Sequence, residues 1–330
     1  MSPELQKKLD LFAANAQTMK KEFKWRAPLT GRLAALLYAF EAKPVDCAAI
    51  RECNAIIKSN TGFFSMFRSN MSLSVAAMLS MKENPGELFA QTQTVYDMMK
   101  NAKFRASIYL AIAAYEIAAN AAPENYQNIV IRAKAFYDGM KANGFFRTGT
   151  DDYIFAAMLG LSDIDVKEGT QRIDKLNKQL SRDFSPGNSV QMLAQILVLG
   201  GEPNPAIDRL YQLKDELKSK KMRFDKRFTL SSLGLFALLS VDINNLVQDI
   251  EDTHTFLRKQ KGFSKFTIPK QTLLLLTAAI VASSYAKEEN TGVLSTSIST
   301  NIAGIIIAQQ TVMMAVMVSV GVAATSAAAR

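Results

Sequence analysis

Histidine, cysteine and tryptophan are nearly absent from this 330-residue sequence, which has one His, two Cys and one Trp. A usual zinc site takes three or four Cys or His ligands, and His254, Cys47 and Cys53 are too few and too scattered to form one. A Ser or Cys nucleophile would have His254 as its sole imidazole base. Neither a G-x-S-x-G elbow nor a P-loop occurs. The sequence therefore argues against zinc enzymes, Ser or Cys hydrolases and P-loop enzymes, and we expect no metal or cofactor.

Carboxylate chemistry is the enzyme class that stays open. Helical hairpins can close into an α/α toroid, a shape that hosts glycosidases and terpenoid-processing enzymes. Glycoside cleavage needs two carboxylates across a sugar cleft, and such clefts are usually rich in Trp, whereas this chain has only Trp25. Asp151 and Asp152 lie at a predicted helix start, where carboxylates cap free amides, and no second acidic cluster accompanies them. We expect them to be capping residues.

Phenylalanines at near-equal intervals are the main architectural signal. Phe104, Phe145, Phe184, Phe224 and Phe263 are separated by 41, 39, 40 and 39 residues. A fixed period of about 40 residues is typical of stacked helical repeats. Each phenylalanine follows a basic stretch and precedes an apolar helix, then a turn and an amphipathic helix. No segment reads as a strand. The sequence predicts an all-α protein of two-helix repeats, stacked as an α-solenoid or a curved α/α array.

The repeats do not reach either end of the chain. Residues 1–66 are predicted to form N-terminal helices, 67–266 the hairpin repeats, and 267–330 apolar C-terminal helices, all in one domain. The N-terminus lacks the apolar run of a secretory signal. The two cysteines are expected to be small, buried or half-buried residues without a disulfide, as in a reducing compartment. Cytoplasmic location is the expectation.

The C-terminal segment 302–324 complicates that expectation. No charge occurs between Glu289 and Arg330, and a largely apolar segment of 23 residues is long enough to cross a bilayer. However, Gln309, Gln310 and Thr311 lie near the middle of the span, where unpaired polar groups are costly. The preceding helix over 271–285 is equally uncharged and too short to span. Burial in the core is therefore favoured, with a membrane anchor as the alternative.

Basic residues are clustered where the amphipathic helices end, and the net charge is +9. Cations there complement the helix dipole, each by roughly 0.3–1 kcal/mol, but the effect fades within the last turn. Two clusters exceed that need and predict a basic ridge that meets an acidic protein or peptide, or an anionic membrane. Nucleic acid is disfavoured, because the nearby Phe224, Phe228, Phe263 and Phe266 recur with the repeat and are predicted to be packing residues. The ridge consists of Lys218, Lys220, Lys221, Arg223, Lys226, Arg227, Arg258, Lys259, Lys261 and Lys265.

The Phe-bounded helical units, the chain length and the apolar, Gln-containing run 305–310 resemble an uncharacterised bacterial family, a domain of unknown function numbered 4003. The resemblance spans nearly the whole chain. It implies a bacterial, cytoplasmic protein and transfers no functional residues. We expect a non-enzymatic binding or scaffold protein that recognises a peptide, a protein or an anionic partner. The alternatives are a membrane-associated protein anchored by 302–324, and an α/α toroid enzyme that uses carboxylates.

Overall fold

The computed structural model describes residues 1–24, 28–69, 72–142, 148–185, 187–201, 203–226, 228–288 and 308. Within these ranges the chain forms α-helices, three short 3₁₀ turns and no strand, which confirms the all-α prediction. The helices are α1 (Pro3–Glu22), α2 (Pro28–Phe40), α3 (Cys47–Ser59), α4 (Ser72–Ser80), α5 (Pro85–Asn101), α6 (Ile108–Asn120), α7 (Tyr126–Ala142), α8 (Tyr153–Leu161), α9 (Val166–Leu180), α10 (Asn188–Leu199), α11 (Pro203–Ser219), α12 (Leu230–Ala237), α13 (Ile243–Lys259) and α14 (Lys270–Glu288).

Short polar side chains start several of these helices. Each accepts a hydrogen bond from the backbone N–H three residues ahead, which satisfies one of the donors left free at a helix start. The acceptors are Ser2, Asp46, Ser107, Asp165 and Asp242. The turn-rich stretches between apolar runs are therefore helix boundaries, as the sequence indicates.

Even-numbered and odd-numbered helices differ in burial. Every residue of α8 from Tyr153 to Gly160 is buried, and α10 is buried in the same way from Val190 to Leu199. In contrast, α9 buries one face and exposes the other, including Lys175. A helix that is apolar on all sides belongs inside a fold, and an amphipathic helix covers it. The even-numbered helices are therefore the inner layer and the odd-numbered helices the outer layer.

Neighbouring hairpins are packed side by side in chain order. Each outer helix contacts the inner helix that follows it, as α1 contacts α2 and α13 contacts α14. Inner helices also contact one another, as in the pairs α2–α4, α6–α8, α10–α12 and α12–α14. The last inner helix, α14, contacts both α1 and α2. The first and last hairpins thus pack against each other.

The contact between those two hairpins, which we call the seam, combines polar and aromatic groups. The buried Lys8 donates from Nζ to the backbone oxygen of Ser283, at 2.8 Å. Arg32 donates to the backbone oxygen of Gly262 at 2.9 Å. Phe12 lies edge-to-face against Phe263, with 5.4 Å between ring centroids. Side chains from the two ends of the sequence therefore form one continuous packed region.

An arginine on each of three successive outer helices caps the inner helix that follows. Arg132 in α7 donates to the backbone oxygens of Gly160, Ser162 and Ile164 beyond α8. Arg172 in α9 bonds the oxygen of Gly201, and Arg209 in α11 bonds that of Val241. These arginines are 40 and 37 residues apart. In each case the guanidinium bonds backbone oxygens at the end of the inner helix or just beyond it.

The recurring phenylalanines have the packing role that the sequence predicts, with one exception. The five described phenylalanines that open a repeat are nearly inaccessible, and Phe145 lies outside the described residues. Phe228 is half-buried. Phe266 is fully exposed, so its interpretation as a packing residue is wrong. The buried members are Phe67, Phe104, Phe184, Phe224 and Phe263.

In the described part of the chain, the links from an outer helix to the next inner helix share one end of the molecule, because each hairpin is antiparallel and its neighbours stand beside it. Hydrogen bonds join these links directly. The hydroxyl of Tyr153 accepts from the N–H of Arg105 at 3.1 Å, and Lys270 donates to the oxygen of Lys221 at 2.8 Å. We call this end the basic end. It is formed by the described residues of the links after α1, α3, α5, α7, α9, α11 and α13.

Most of the C-terminal segment 302–324 lies outside the described residues. Ala308 within it is described, is helical, and is fully buried in the hydrophobic core. In the part of the chain that the structure describes, no helix combines the length and apolar character needed to cross a membrane.

Candidate anion-binding surface

The basic ridge lies at the basic end. Its residues occupy the last turns of α11 and α13 and the links that follow those helices. Arg258 is half-buried, whereas the other described members are exposed. Arg227 lies outside the described residues. The structure therefore brings the two predicted clusters to the same end of neighbouring hairpins.

Three members of the ridge already have partners in the fold. Lys220 pairs with Glu251 at 2.8 Å, and this hydrogen bond raises the pKa of Lys220. Arg223 pairs with Asp225 at 2.7 Å, which lowers the pKa of that carboxyl. Arg258 donates to two backbone oxygens of the following link, and burial lowers its pKa. Arg258 is therefore a structural residue.

The other six described members carry exposed ammonium groups. Within the described ranges, no carboxylate lies within ion-pair distance of any of them. The helix dipole accounts only for cations in the last turn, so the lysines in the links leave a surplus of positive charge at the basic end. They are Lys218, Lys221, Lys226, Lys259, Lys261 and Lys265.

Two β-turns at the basic end carry exposed phenylalanines that sequence reasoning missed. In the link after α3, the N–H of Ser65 bonds the oxygen of Gly62 at 3.1 Å, which places Phe63 and Phe64 at the two central positions. Their side chains are 80% and 89% exposed and meet edge-to-face, with centroids 5.2 Å apart. The sequence did contain a signal for them. The link after α3 has three phenylalanines, and only Phe67 is needed for packing, so the other two are free to be exposed.

The link after α13 repeats this arrangement. The N–H of Thr267 bonds the oxygen of Ser264 at 3.0 Å, so Lys265 and Phe266 are the central residues of the turn. Phe266 is fully exposed. The neighbouring Phe263 is buried at the seam and anchors the link. Each of the two links therefore has one buried phenylalanine, Phe67 or Phe263, that anchors it. Each also has an exposed aromatic tip at its turn, formed by Phe63 and Phe64 or by Phe266.

A cavity of about 260 Å³ opens at the seam, between α1, the start of α2 and the link after α13. The guanidinium of Arg32 lies 5.5 Å from the ring centroid of Phe263, and burial lowers the pKa of Arg32. No carboxylate is among the described residues that line the cavity, so its electrostatic character is positive. The side chains that define it are the apolar Ala16, Met19, Phe23 and Phe263 and the basic Lys20, Lys24, Arg32 and Lys261.

The paired aspartates are structural, but the capping prediction holds only in part. Asp152 caps the 3₁₀ turn before α8 through the N–H of Gly149, and in the described part of the chain neither carboxylate accepts from a free N–H at the start of α8. Asp152 is buried and accepts from the N–H of Gly149, and from the side chains of Gln191 and Gln195, each at 2.9 Å. Burial, followed by the charge of Asp151, raises the pKa of Asp152 to about 7, against the effect of these donors. Asp151 accepts from Asn188 at 2.7 Å. The pair therefore fixes the link before α8 to α10.

The remaining candidates for chemistry are separate from one another. His254 is half-buried in α13, and burial, with the charges of Arg258 and Lys270, lowers its pKa to about 4. Cys53 is buried and Cys47 is half-buried. Among the described residues, no group of three or more His, Cys, Asp or Glu side chains could hold a metal ion.

Comparison with known proteins places this helical chain in a family. The model of the family described as "Protein of unknown function (DUF4003)" matches residues 15–311, and the chain belongs to that family. The chain is also similar to the "Uncharacterized protein YeaA" of Bacillus subtilis (strain 168), with 22% identity over 236 residues. That match covers 67% of this chain and 70% of the relative. No solved structure matches the chain.

Proposed function

We propose that this protein is a non-enzymatic binding protein of the cytoplasm, built from helical-hairpin repeats in a curved α/α array, and that it engages an anionic partner through its basic end. The observation that supports this most directly is the set of six exposed lysines without acidic partners in the described structure. Such a surplus raises the local concentration of anions and accelerates encounter with them.

The shape of the array supports the same proposal. Neighbouring links lie side by side, so charges from separate hairpins act on one partner surface. Ionic screening extends over about 10 Å at 0.1 M salt, which is comparable to the 8–10 Å between packed helices. Adjacent lysine clusters therefore reinforce one another at low salt, and binding is expected to weaken as salt rises.

Retention on immobilised heparin, used as a model polyanion, tests the proposal. The double variant Lys261→Glu/Lys265→Glu should elute at a clearly lower salt concentration than the wild type. The control, Lys43→Glu/Lys167→Glu, makes the same change in net charge at the opposite end, where both lysines are exposed. It should elute close to the wild type. Equal shifts in the two variants would show that retention follows net charge alone, and the proposal would then be wrong.

A further inference from the structure

The two phenylalanine-tipped turns identify the class of the anionic partner, on the basis of the proposed function. We infer that the basic end docks on the surface of an anionic lipid bilayer, with the side chains of Phe63, Phe64 and Phe266 inserted at the level of the headgroups. The surrounding lysines then contact the acidic headgroups.

The exposure of these three side chains is built into the links. Arg68 holds the first link closed, since its guanidinium donates to the hydroxyl of Thr61 at 3.0 Å and to the backbone oxygens of Lys58 and Thr61. Arg258 closes the second link through the oxygens of Phe263 and Ile268, at 3.1 and 3.2 Å. Because these hydrogen bonds already order the two links, the exposed side chains can bind a partner without a further loss of backbone conformational entropy.

Turn geometry does not explain the choice of residue. Central turn positions favour Gly, Pro, Asn, Asp and Ser, each for a conformational reason that Phe does not share. Nor does packing explain it, because Phe67 and Phe263 already anchor the two links. The two links thus expose three large apolar side chains that neither turn geometry nor packing requires. Such exposure indicates a surface that binds another molecule or a membrane.

The form of the surface favours a bilayer over a protein. A protein interface has a contiguous, desolvated apolar core, whereas these side chains protrude singly or as one pair, with exposed lysines nearby in the sequence. A bilayer accepts isolated aromatic tips at its interface and attracts adjacent Lys and Arg through its acidic headgroups. The charge at the tips is complementary to such a membrane, since Lys265 shares a turn with Phe266 and Lys58 precedes the first link.

The two tips lie on either side of the first hairpin. Their hairpins, α3–α4 and α13–α14, flank the first hairpin, which contacts both through α2–α4 and α14–α2. Two steps of helix packing put the tips on the order of 20 Å apart. The exposed Lys20, Lys21 and Lys24 of the first hairpin lie in the interval. A flat lipid surface can meet both tips and these lysines together.

Co-sedimentation with lipid vesicles tests the inference. The full-length protein should pellet with vesicles of mixed phosphatidylglycerol and phosphatidylcholine, and stay in solution with phosphatidylcholine alone. The variant Phe63→Ser/Phe64→Ser/Phe266→Ser should lose at least about tenfold in partitioning, because it removes three apolar insertions. The control Ile131→Ser changes an exposed apolar residue of α7, away from these links, and should behave as the wild type.

Heparin retention separates the outcomes. If the serine variant keeps wild-type retention on heparin but loses the vesicles, the inference holds. If it still pellets like the wild type, insertion is wrong while the anion-binding proposal stands. If the wild type binds heparin or an oligonucleotide but no vesicle, the partner is not lipid. If Lys261→Glu/Lys265→Glu leaves both heparin and vesicle binding unchanged, the proposed function itself fails. Circular dichroism melting of every variant excludes unfolding as the cause.

Discussion

Phe12 in α1 and Phe263 in the link after α13 meet edge-to-face, with 5.4 Å between ring centroids and 64° between ring planes. Both side chains are buried. Residues 251 positions apart in the sequence therefore share one contact, and the guanidinium of Arg32 lies against the same Phe263 ring. The seam is consequently a place where the two ends of the chain stabilise each other, and its aromatic pair can be tested directly.

The costs of truncating the two rings should be less than additive. Phe12→Ala and Phe263→Ala should each lower the free energy of unfolding by about 3–5 kcal/mol, the usual cost of a buried Phe→Ala change. Because both changes remove the same contact, the double variant should fall short of the sum by about 0.5–3 kcal/mol. Urea unfolding of the four proteins measures this coupling. Additive costs would mean that the two rings contribute independently.

A close approach of α7 and α8 should make Gly160 irreplaceable. A Cβ atom there would lie 2.9 Å from the backbone oxygen of Ile129 and 3.0 Å from the backbone of Ala133, neither of which can move aside alone. Gly160→Ala should therefore destabilise the protein by about 1–3 kcal/mol through overpacking. Gly86→Ala is the matched control, because a Cβ atom there meets nothing within 4 Å.

Thermal unfolding distinguishes these two glycine variants. Gly86 lies near the start of α5, so alanine should be neutral or stabilising by up to about 1 kcal/mol. Equal melting temperatures for Gly160→Ala and the wild type would show that α7 and α8 can separate without cost.

Loss of a capping arginine should lower the free energy of unfolding more than loss of an exposed ion pair. Arg132→Met leaves the oxygens of Gly160, Ser162 and Ile164 without their donor, at a cost of about 1–3 kcal/mol. Arg51→Met breaks an exposed pair with Glu22, 2.6 Å apart, for which at most about 1 kcal/mol is expected. Chemical denaturation gives both values. A larger loss for the Arg51 variant would contradict the assignment of Arg132 as a structural cap.

Local patterns made much of the fold predictable. The apolar runs, the prolines at helix starts and the recurring phenylalanines gave helices and their approximate ends, since these depend on nearby residues. The seam could not be derived in this way. Whether Phe12 reaches Phe263 depends on small rotations accumulated over every hairpin between them. The sequence period does not contain the accumulated rotation. Open and closed arrays of hairpins are therefore expected to have the same sequence period.

The candidate site was predictable in charge and not in shape. Clusters of Lys and Arg are visible in sequence, but their pairing is not, and Arg258 proves to be a clamp for its own link. Phe263 and Phe266 are three residues apart and have opposite fates, because a turn at Ser264–Thr267 reverses the chain between them. The sequence period shows that both residues are aromatic, but it cannot show that Phe263 is buried and Phe266 exposed.

Burial of Ala308 offers a test of the C-terminal segment. The residue is fully buried in the core, so Ala308→Asp should place a charge where water is absent and cost several kcal/mol. We expect low soluble yield or a sharply lowered melting temperature. Ala14→Asp, at an exposed position of α1, is the control. A chain lacking residues 295–330 should likewise lose solubility. If both the Ala308 variant and the shortened chain are soluble with wild-type melting, the segment is not part of the core and the anchor alternative gains support.

Acid groups in the inner layer should make stability fall as pH rises. The pKa of Asp152 in the folded protein is about 7, above its ordinary value of 3.8, because burial disfavours the charge. Between these values the folded state holds a proton that the unfolded state has released, so raising the pH favours unfolding. The pKa of Glu116 is raised to about 7 for the same reason, against the charge of Lys82. Both groups act in the same direction and over the same window.

Replacement of Asp152 should flatten this dependence. In the wild type, the free energy of unfolding should decline from about pH 4 to about pH 7, with Asp152 accounting for up to about 4 kcal/mol. Asp152→Asn keeps an acceptor for Gln191 and Gln195 but loses the bond from the N–H of Gly149, so its stability at low pH should be reduced. Its decline with pH should nevertheless be shallower, since Asp152 no longer titrates. Glu116 still lowers the stability as pH rises in this window, and His254, whose pKa is lowered to about 4, acts in the opposite direction in both proteins. Urea unfolding at several pH values gives both slopes. Parallel slopes for the two proteins would mean that the donors around Asp152 outweigh its burial and keep it ionised in the fold.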